Sequence, residues 1–248
     1  MRLNNERAVS DVVGYLILFG IVIVAISATV AVGVTVNSDI QESIAASNSE
    51  DAMGLVNSQI EDIHQRNADS RETEIRLNNQ QLTSENHATI RIDIDGGDTD
   101  SVEYTSQRIE YVSGDVTTSI ELGSVITKQS DNAIMRESPP FEYNEELTLI
   151  NVIEIRENDS VSGSGFATIA KEFDDDVSES IQEEDITLTK TIETTPSHAQ
   201  TWENYFNNQD DVTITSTSED IEDGIVEMEM ETDELLLQRS VIPISIST

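Results

Sequence analysis

The hydrophobic pattern of the chain changes its period twice. From Val12 to Val36 it reads VVGYLILFGIVIVAISATVAVGVTV, and no charge appears until Asp39. At about 1.5 Å rise per residue this apolar run exceeds the roughly 30 Å hydrocarbon thickness of a bilayer. It predicts a membrane-spanning helix over 12–36, with Val12, Gly14, Gly20, Gly33 and Val36 along it. Past Asn37 the apolar positions are Ile40, Ile44, Ala45, Ala52, Leu55, Val56, Ile60 and Ile63. Their spacing of three and four is an amphipathic stripe. No proline interrupts residues 8–66, so the pattern predicts one long helix there, apolar all round at first and one-faced later.

Beyond about residue 70 the period becomes two. Thr89-Ile-Arg-Ile-Asp-Ile-Asp95 alternates strictly, as do 187–192, 212–215 and 225–231. Further strands are expected at 72–78, 101–112, 115–122, 124–129, 146–155 and 240–247. Strict alternation marks sheets with one buried and one wet face, the habit of antiparallel pairing. Turns are expected at Asp95-Gly-Gly-Asp98, Ser113-Gly-Asp115, Ser138-Pro-Pro140 and Asp223-Gly224. One short helix is expected near 197–207, capped by Ser197 after Pro196, with Trp202, Tyr205 and Phe206 packed on the sheet. Residues 157–185 contain Ser-Gly repeats and acidic runs and read as a long exposed loop. The fold class expected is α+β: a long N-terminal helix over 8–66, then an antiparallel β-rich domain over 68–248.

Charge narrows the function. The 248 residues carry 49 acidic and 13 basic side chains, a formal net charge of −36. Nucleic-acid binding is excluded as a general role, because phosphate contacts need clustered Lys and Arg. The absence of Cys removes disulfides, thiolate zinc sites and Cys nucleophiles. Lys128, Lys171 and Lys190 are the only lysines. Acidity with so little Lys resembles the proteins of extreme halophiles. Arg2 and Arg7 precede the apolar run, while Asp39 and Glu42 follow it. The positive-inside rule then puts residues 1–7 in the cytoplasm and 39–248 outside the cell membrane. A cleavable secretory signal fits less well, since its apolar region is shorter and ends at a small-residue site.

Residues 7–14, Arg-Ala-Val-Ser-Asp-Val-Val-Gly, followed by the apolar run, resemble the N-terminus of haloarchaeal type IV pilin-like proteins. Asp11 stands where that family commonly has Pro, and Val13 where it has Ile. Met135–Phe141 and Trp202–Phe206 are similar to an uncharacterised pilin-like subgroup. The resemblance implies cleavage between Arg7 and Ala8 by a prepilin peptidase, leaving 1–7 as a leader. It also implies retention of the helix and partnership with other pilin-like subunits. Asp11 would lie in the first helical turn, where the macrodipole favours an anion. It could pair with a neighbouring subunit's new N-terminus or simply cap the helix. Ser27, Ala28, Ala31 and Gly33 would let apolar helices approach closely.

Little else carries chemistry. His64, His87 and His198 lack ligand spacing and read as surface residues, and no metal or cofactor site is expected. The stretch Asp93-x-Asp95-Gly-Gly-Asp98-x-Asp100 resembles a calcium loop. An EF-hand, however, would have Gly at Asp98 and Glu at Tyr104, so a hairpin turn is expected instead. Asn158-Asp-Ser160 is a glycosylation sequon. The expected role is a non-enzymatic, minor pilin-like surface subunit. A permanently anchored binding module and an anchored hydrolase are the alternatives.

Overall fold

In the computed structural model the described residues are 5–156, 160–172 and 174–247, without the side chains of 5–14, 26, 28–46, 78–79, 85, 164 and 175–177. Helix α1 (Asn5–His64) leads into β1 (Ser70–Asp95), β2 (Ser101–Ser113), β3 (Val116–Glu121), β4 (Ser124–Gln129), β5 (Asn132–Glu137), β6 (Phe141–Glu142) and β7 (Thr148–Arg156). Then come β8 (Ser160–Glu172), β9 (Asp174–Glu193), α2 (Pro196–Phe206), β10 (Thr213–Ile214), α3 (Ser218–Glu222) and β11 (Ile225–Ser247). The chain divides into two compact units, 1–45 and 46–248. The division falls inside α1.

The first unit contains the start of α1. Its described apolar side chains, from Tyr15 to Val24, are exposed. Among the described residues no helix is long and apolar enough to cross a membrane. The expected span over 12–36 is therefore not met by them.

In the second unit, α1 continues from Ala46 to His64. Met53, Val56, Ile60 and Ile63 are fully buried there, at helical spacing. Leu55, expected on this stripe, is 52% exposed, and Met53 holds the inward position instead. Two polar residues share the face, and each makes a hydrogen bond on it, while Asn57 Oδ1 has no partner among the described residues. Ser49 Oγ lies 2.8 Å from Thr118 Oγ1, and Asn57 Nδ2 donates to Gly123 O at 3.1 Å. The helix ends at Arg66, whose φ is 57°. Arg66 N–H donates to Ile63 O and Asn67 N–H to Asp62 O, which occupies the last carbonyls in a Schellman pattern.

The strands form one sheet in the order β5-β4-β3-β2-β1-β8-β11-β7-β6, with β10 on β11 and β9 on both β1 and β11. Pairing is antiparallel except for β7 with β11, which runs parallel from Leu235 opposite Thr148 to Pro243 opposite Arg156. Across from β2, β1 meets β8 along Ser70–Thr83 and β9 along Thr89–Asp95. The start of β8 and the end of β9 thus abut along one strand edge. The β9–β11 ladder leaves the sheet at one end of β1, and β8 rejoins it at the other. The sheet curls accordingly, and Ile155 N–H donates to Ser106 Oγ at 2.9 Å between β7 and β2. Two cores result. One packs under α1 around Ile60, Leu82, Ile120 and Ile153. The other packs under α2 around Ile90, Val152, Trp202 and Phe206.

Several expectations are corrected. The class is not a long-helix, pilin-like α+β fold: strand outweighs helix, so the protein is mainly antiparallel β. The reason is length. Stretches read as separate short strands fuse into β1 and β11, and the acidic region 157–185 is largely β8 and β9 rather than a loop. A strand can present alternate acids to water, and β11 supplies β9 with a backbone partner from Val241 opposite Asp174 onward. Helix α2 sits where expected, yet Thr195 is its N-cap and gives no side-chain bond. Ser197 does not cap it. A second short helix, α3, is closed by a capping box between Thr217 and Asp220.

Replacing Ile60 by Ala is expected to lower the unfolding free energy by about 2–5 kcal/mol. Leu55→Ala is expected to change it by no more than about 0.5 kcal/mol. Urea titration of both variants in molar salt checks the assignment of the helix face.

Candidate functional site

The residues expected to carry processing and assembly lie in α1. Arg7, Ala8, Asp11, Val12 and Gly14 have helical backbone, as do Gly33 and Val36, and their side chains are outside the described residues. Gly20 is described and has open space around it. Asn158 is outside the described residues. What the structure does bring together is a set of buried charges that the sequence reading passed over.

The first set centres on Glu121, the last residue of β3. Leu122 and Gly123, at φ 51° and 81°, form the two-residue turn into β4. A Cβ on Gly123 would meet Pro140 Cδ at 2.7 Å, so that turn is closely covered. The Glu121 side chain is completely buried. Trp202 Nε1 donates to its Oε1 at 2.7 Å. Its Oε2 accepts from Arg108 Nη1 at 2.7 Å and from Thr194 Oγ1 at 2.7 Å. His198 Nδ1 lies 3.0 Å from the same oxygen. An ionised carboxylate only accepts, so that nitrogen carries the proton. Burial pushes the Glu121 pKa up, but His198, Arg108 and Trp202 outweigh it and hold the carboxyl at about 2. Arg108 Nε also stands 2.8 Å from Glu110 Oε1. His198 was expected at the surface and is instead part of this clamp. The clamp ties α2 to β2 and β3.

The second set holds cations. Lys190 is fully buried on β9. Its ammonium sits 3.3 Å from the Phe141 ring centre and donates to Tyr143 Oη at 2.7 Å. Burial drives its pKa well below the usual lysine value. Phe206 and Trp202 pack around the same rings. Lys171, on β8, donates to Thr73 Oγ1 at 2.8 Å. Burial, helped by the charge of Arg71 and opposed by Glu72, lowers its pKa to about 8. A shallow cleft of about 350 Å³ opens beside it, edged by Ser70, Glu172 and Ser245. His64 Nδ1 lies 2.7 Å from Ser240 Oγ. Burial lowers its pKa, against a hydrogen bond with Asn151. His87 is exposed.

These groups form closed contacts inside the fold. Among the described residues no group of three His, Cys, Asp or Glu side chains is placed to hold a metal. The Asp93–Asp100 segment is the β1–β2 turn. Ile94 N–H donates to Asp100 O. The Glu183 carboxylate accepts from Asp98 N–H at 2.9 Å and Thr99 N–H at 3.0 Å. Those backbone bonds lower its pKa.

Residues 7–245 match the model of a family of unknown function, DUF7289. The chain belongs to that family. No curated protein matches it, and no solved structure does. The matched range takes in nearly all of α1, both cores and the Glu121 clamp.

Glu121→Gln is expected to cost about 1–3 kcal/mol, because Arg108 loses its fully buried carboxylate partner and keeps only Glu110. The native carboxyl titrates below its ordinary 4.5. Its contribution is therefore present above that value and is lost as pH falls toward about 2. Urea midpoints between pH 5 and pH 2 should fall more steeply for the native chain than for the Gln variant.

Proposed function

We propose that this protein is a non-enzymatic, minor subunit of a pilin-type surface assembly, held at the cell membrane through its apolar N-terminal segment after processing between Arg7 and Ala8. One observation carries the reading. Consecutive residues Tyr15 to Phe19 and Ile21 to Val24 are apolar and exposed, Tyr15 to 80%. At about 100° per residue they cover every side of the helix. One partner helix would cover a stripe; a helix apolar all round calls for lipid or several neighbouring helices. The described stretch is shorter than a span, and the apolar sequence continues to Val36. The basic residues before it and the acidic ones after it put residues 1–7 in the cytoplasm and the β unit outside.

The partners in this reading are the membrane, a prepilin peptidase and other pilin-like subunits. No cofactor enters it. Asp11 caps the helix start or pairs with a neighbour's N-terminus, and Asn158 is a candidate glycosylation position. A heavily acidic head packs poorly against many copies of itself, which favours a subunit present in few copies.

Mass spectrometry of the terminal peptide from native membranes tests the proposal. A chain starting at Ala8 is expected. An intact Met1 or Arg2 would overturn processing and leave a permanently anchored binding module.

A further inference from the structure

After residue 39, the three longest stretches without Asp or Glu are 75–84, 160–171 and 235–248. They are far apart in sequence, yet the fold places them in β1, β8 and β11, which are neighbours in the sheet. Gln81 stands opposite Ser162, Arg76 opposite Phe166, and Thr168 opposite Ser247. Burial explains the missing acids at the inward positions of these stretches but not at the outward ones. Arg76, Gln81, Ser160, Ser162, Phe166 and Ser247 are all exposed. Phe166 keeps 57% of its surface in solvent. It stands directly opposite Arg76, with Ser162 and Thr168 on the same face of β8. Gln81 Nε2 donates to Ser160 Oγ at 3.2 Å across the two strands, and Arg76 is the one charged side chain among these six. Exposed Glu74, opposite Thr168, begins the charged rim.

We propose that the acid-free face of β1 and β8, bounded by Glu72, Glu74 and Glu172 where β11 joins it, is where a second copy of the chain docks. The argument is electrostatic. With a net charge of −36, two copies meet carboxylate to carboxylate over most of their surface. Molar salt screens charges that stay apart, with a Debye length of about 3 Å at 1 M. It does not remove the cost of desolvating unpaired carboxylates pressed into contact. Only a surface without them accepts an equally acidic partner. The face also suits a two-fold contact, in which one patch meets its own copy. Each Phe166 ring lies over the serines of the other copy, and each Arg76 faces the other's rim at Glu74. The contact is made by the β unit and goes beyond the anchoring reading, since it requires neither processing nor the apolar helix.

The chain has no cysteine, so one introduced thiol reports one position. The test uses full-length Ser162→Cys in native membranes at molar salt, treated with a short bis-maleimide. A covalent dimer is expected. Adding Phe166→Glu should reduce it at least about tenfold while leaving the thermal midpoint of the purified protein unchanged. Glu229→Cys, exposed in the acid-rich part of β11, should stay monomeric. A monomer at position 162, equal cross-linking from position 229, or a dimer indifferent to Phe166→Glu overturns the proposal. So does a position-162 thiol shielded from reagent by surface glycan or by another protein. The N-terminal residue is read from the same sample. A start at Ala8 without the dimer overturns the interface alone, and a dimer with intact Met1 overturns the processing alone.

Discussion

Every carboxylate of this chain must either stay in water or meet one of a few cations, and the interior is arranged around that constraint. With 49 acids and 13 Lys or Arg, pairing is scarce by composition. Buried acids occur where the cations have been gathered. Glu121 has Arg108 at 2.7 Å, with His198 as a further hydrogen-bond partner. Glu154 has Arg156 at 2.6 Å and Arg239 at 2.6 Å. The other acids whose side chains are described are partly or fully exposed, on strands, helices and turns. Two of the three lysines, Lys171 and Lys190, are interior. A surface that sheds Lys has kept it where burial and aromatic rings, rather than water, set its behaviour.

The two cores depend on this distribution. Helix α1 can dock because its inward face carries only Ser49 and Asn57 among apolar residues, each with a partner on the sheet. Helix α2 carries Trp202 and His198, both bonded to one buried carboxylate. That clamp fixes the helix in register as well as in place, because indole, imidazole and guanidinium reach two oxygens from three directions. Long strands then carry the chain from one core to the other. In β1, Leu77 and Leu82 lie under α1, whereas Ile90 and Ile92 lie under α2.

Alternation exposed most of the strands, since a period of two follows directly from the pleat. It could not reveal that neighbouring strands fuse. Residues 79–88 and 232–239 break the alternation with a bulge or a run of leucines, yet backbone pairing continues through them. Composition misled at 174–185, where acids suggested a loop but a long partner strand was available. The buried charges had a visible signature. Lys190 stands in phase with Leu188 and Ile192, and Lys171 with Ala167 and Ile169, so both occupy inward positions of an alternating strand. His198 sits one turn before Trp202 on the same helix face. The Glu121 partners had no such signal, because Arg108, Thr194 and Trp202 come together only when three distant elements pack.

The shared edge of β1 governs the order in which the fold can assemble. β1 to β5 pair with sequence neighbours, so they can form early as local hairpins. The opposite edge of β1 waits for β8 along its first half and for β9 along its second, and β11 must seat both. Non-local pairing of this kind is slow. Until it is complete, β1 offers an open edge that includes its own acid-free stretch, the kind of template on which chains aggregate. The mutual repulsion of acidic chains keeps nascent copies apart during that interval, so the same charge that limits docking in the finished protein guards its folding.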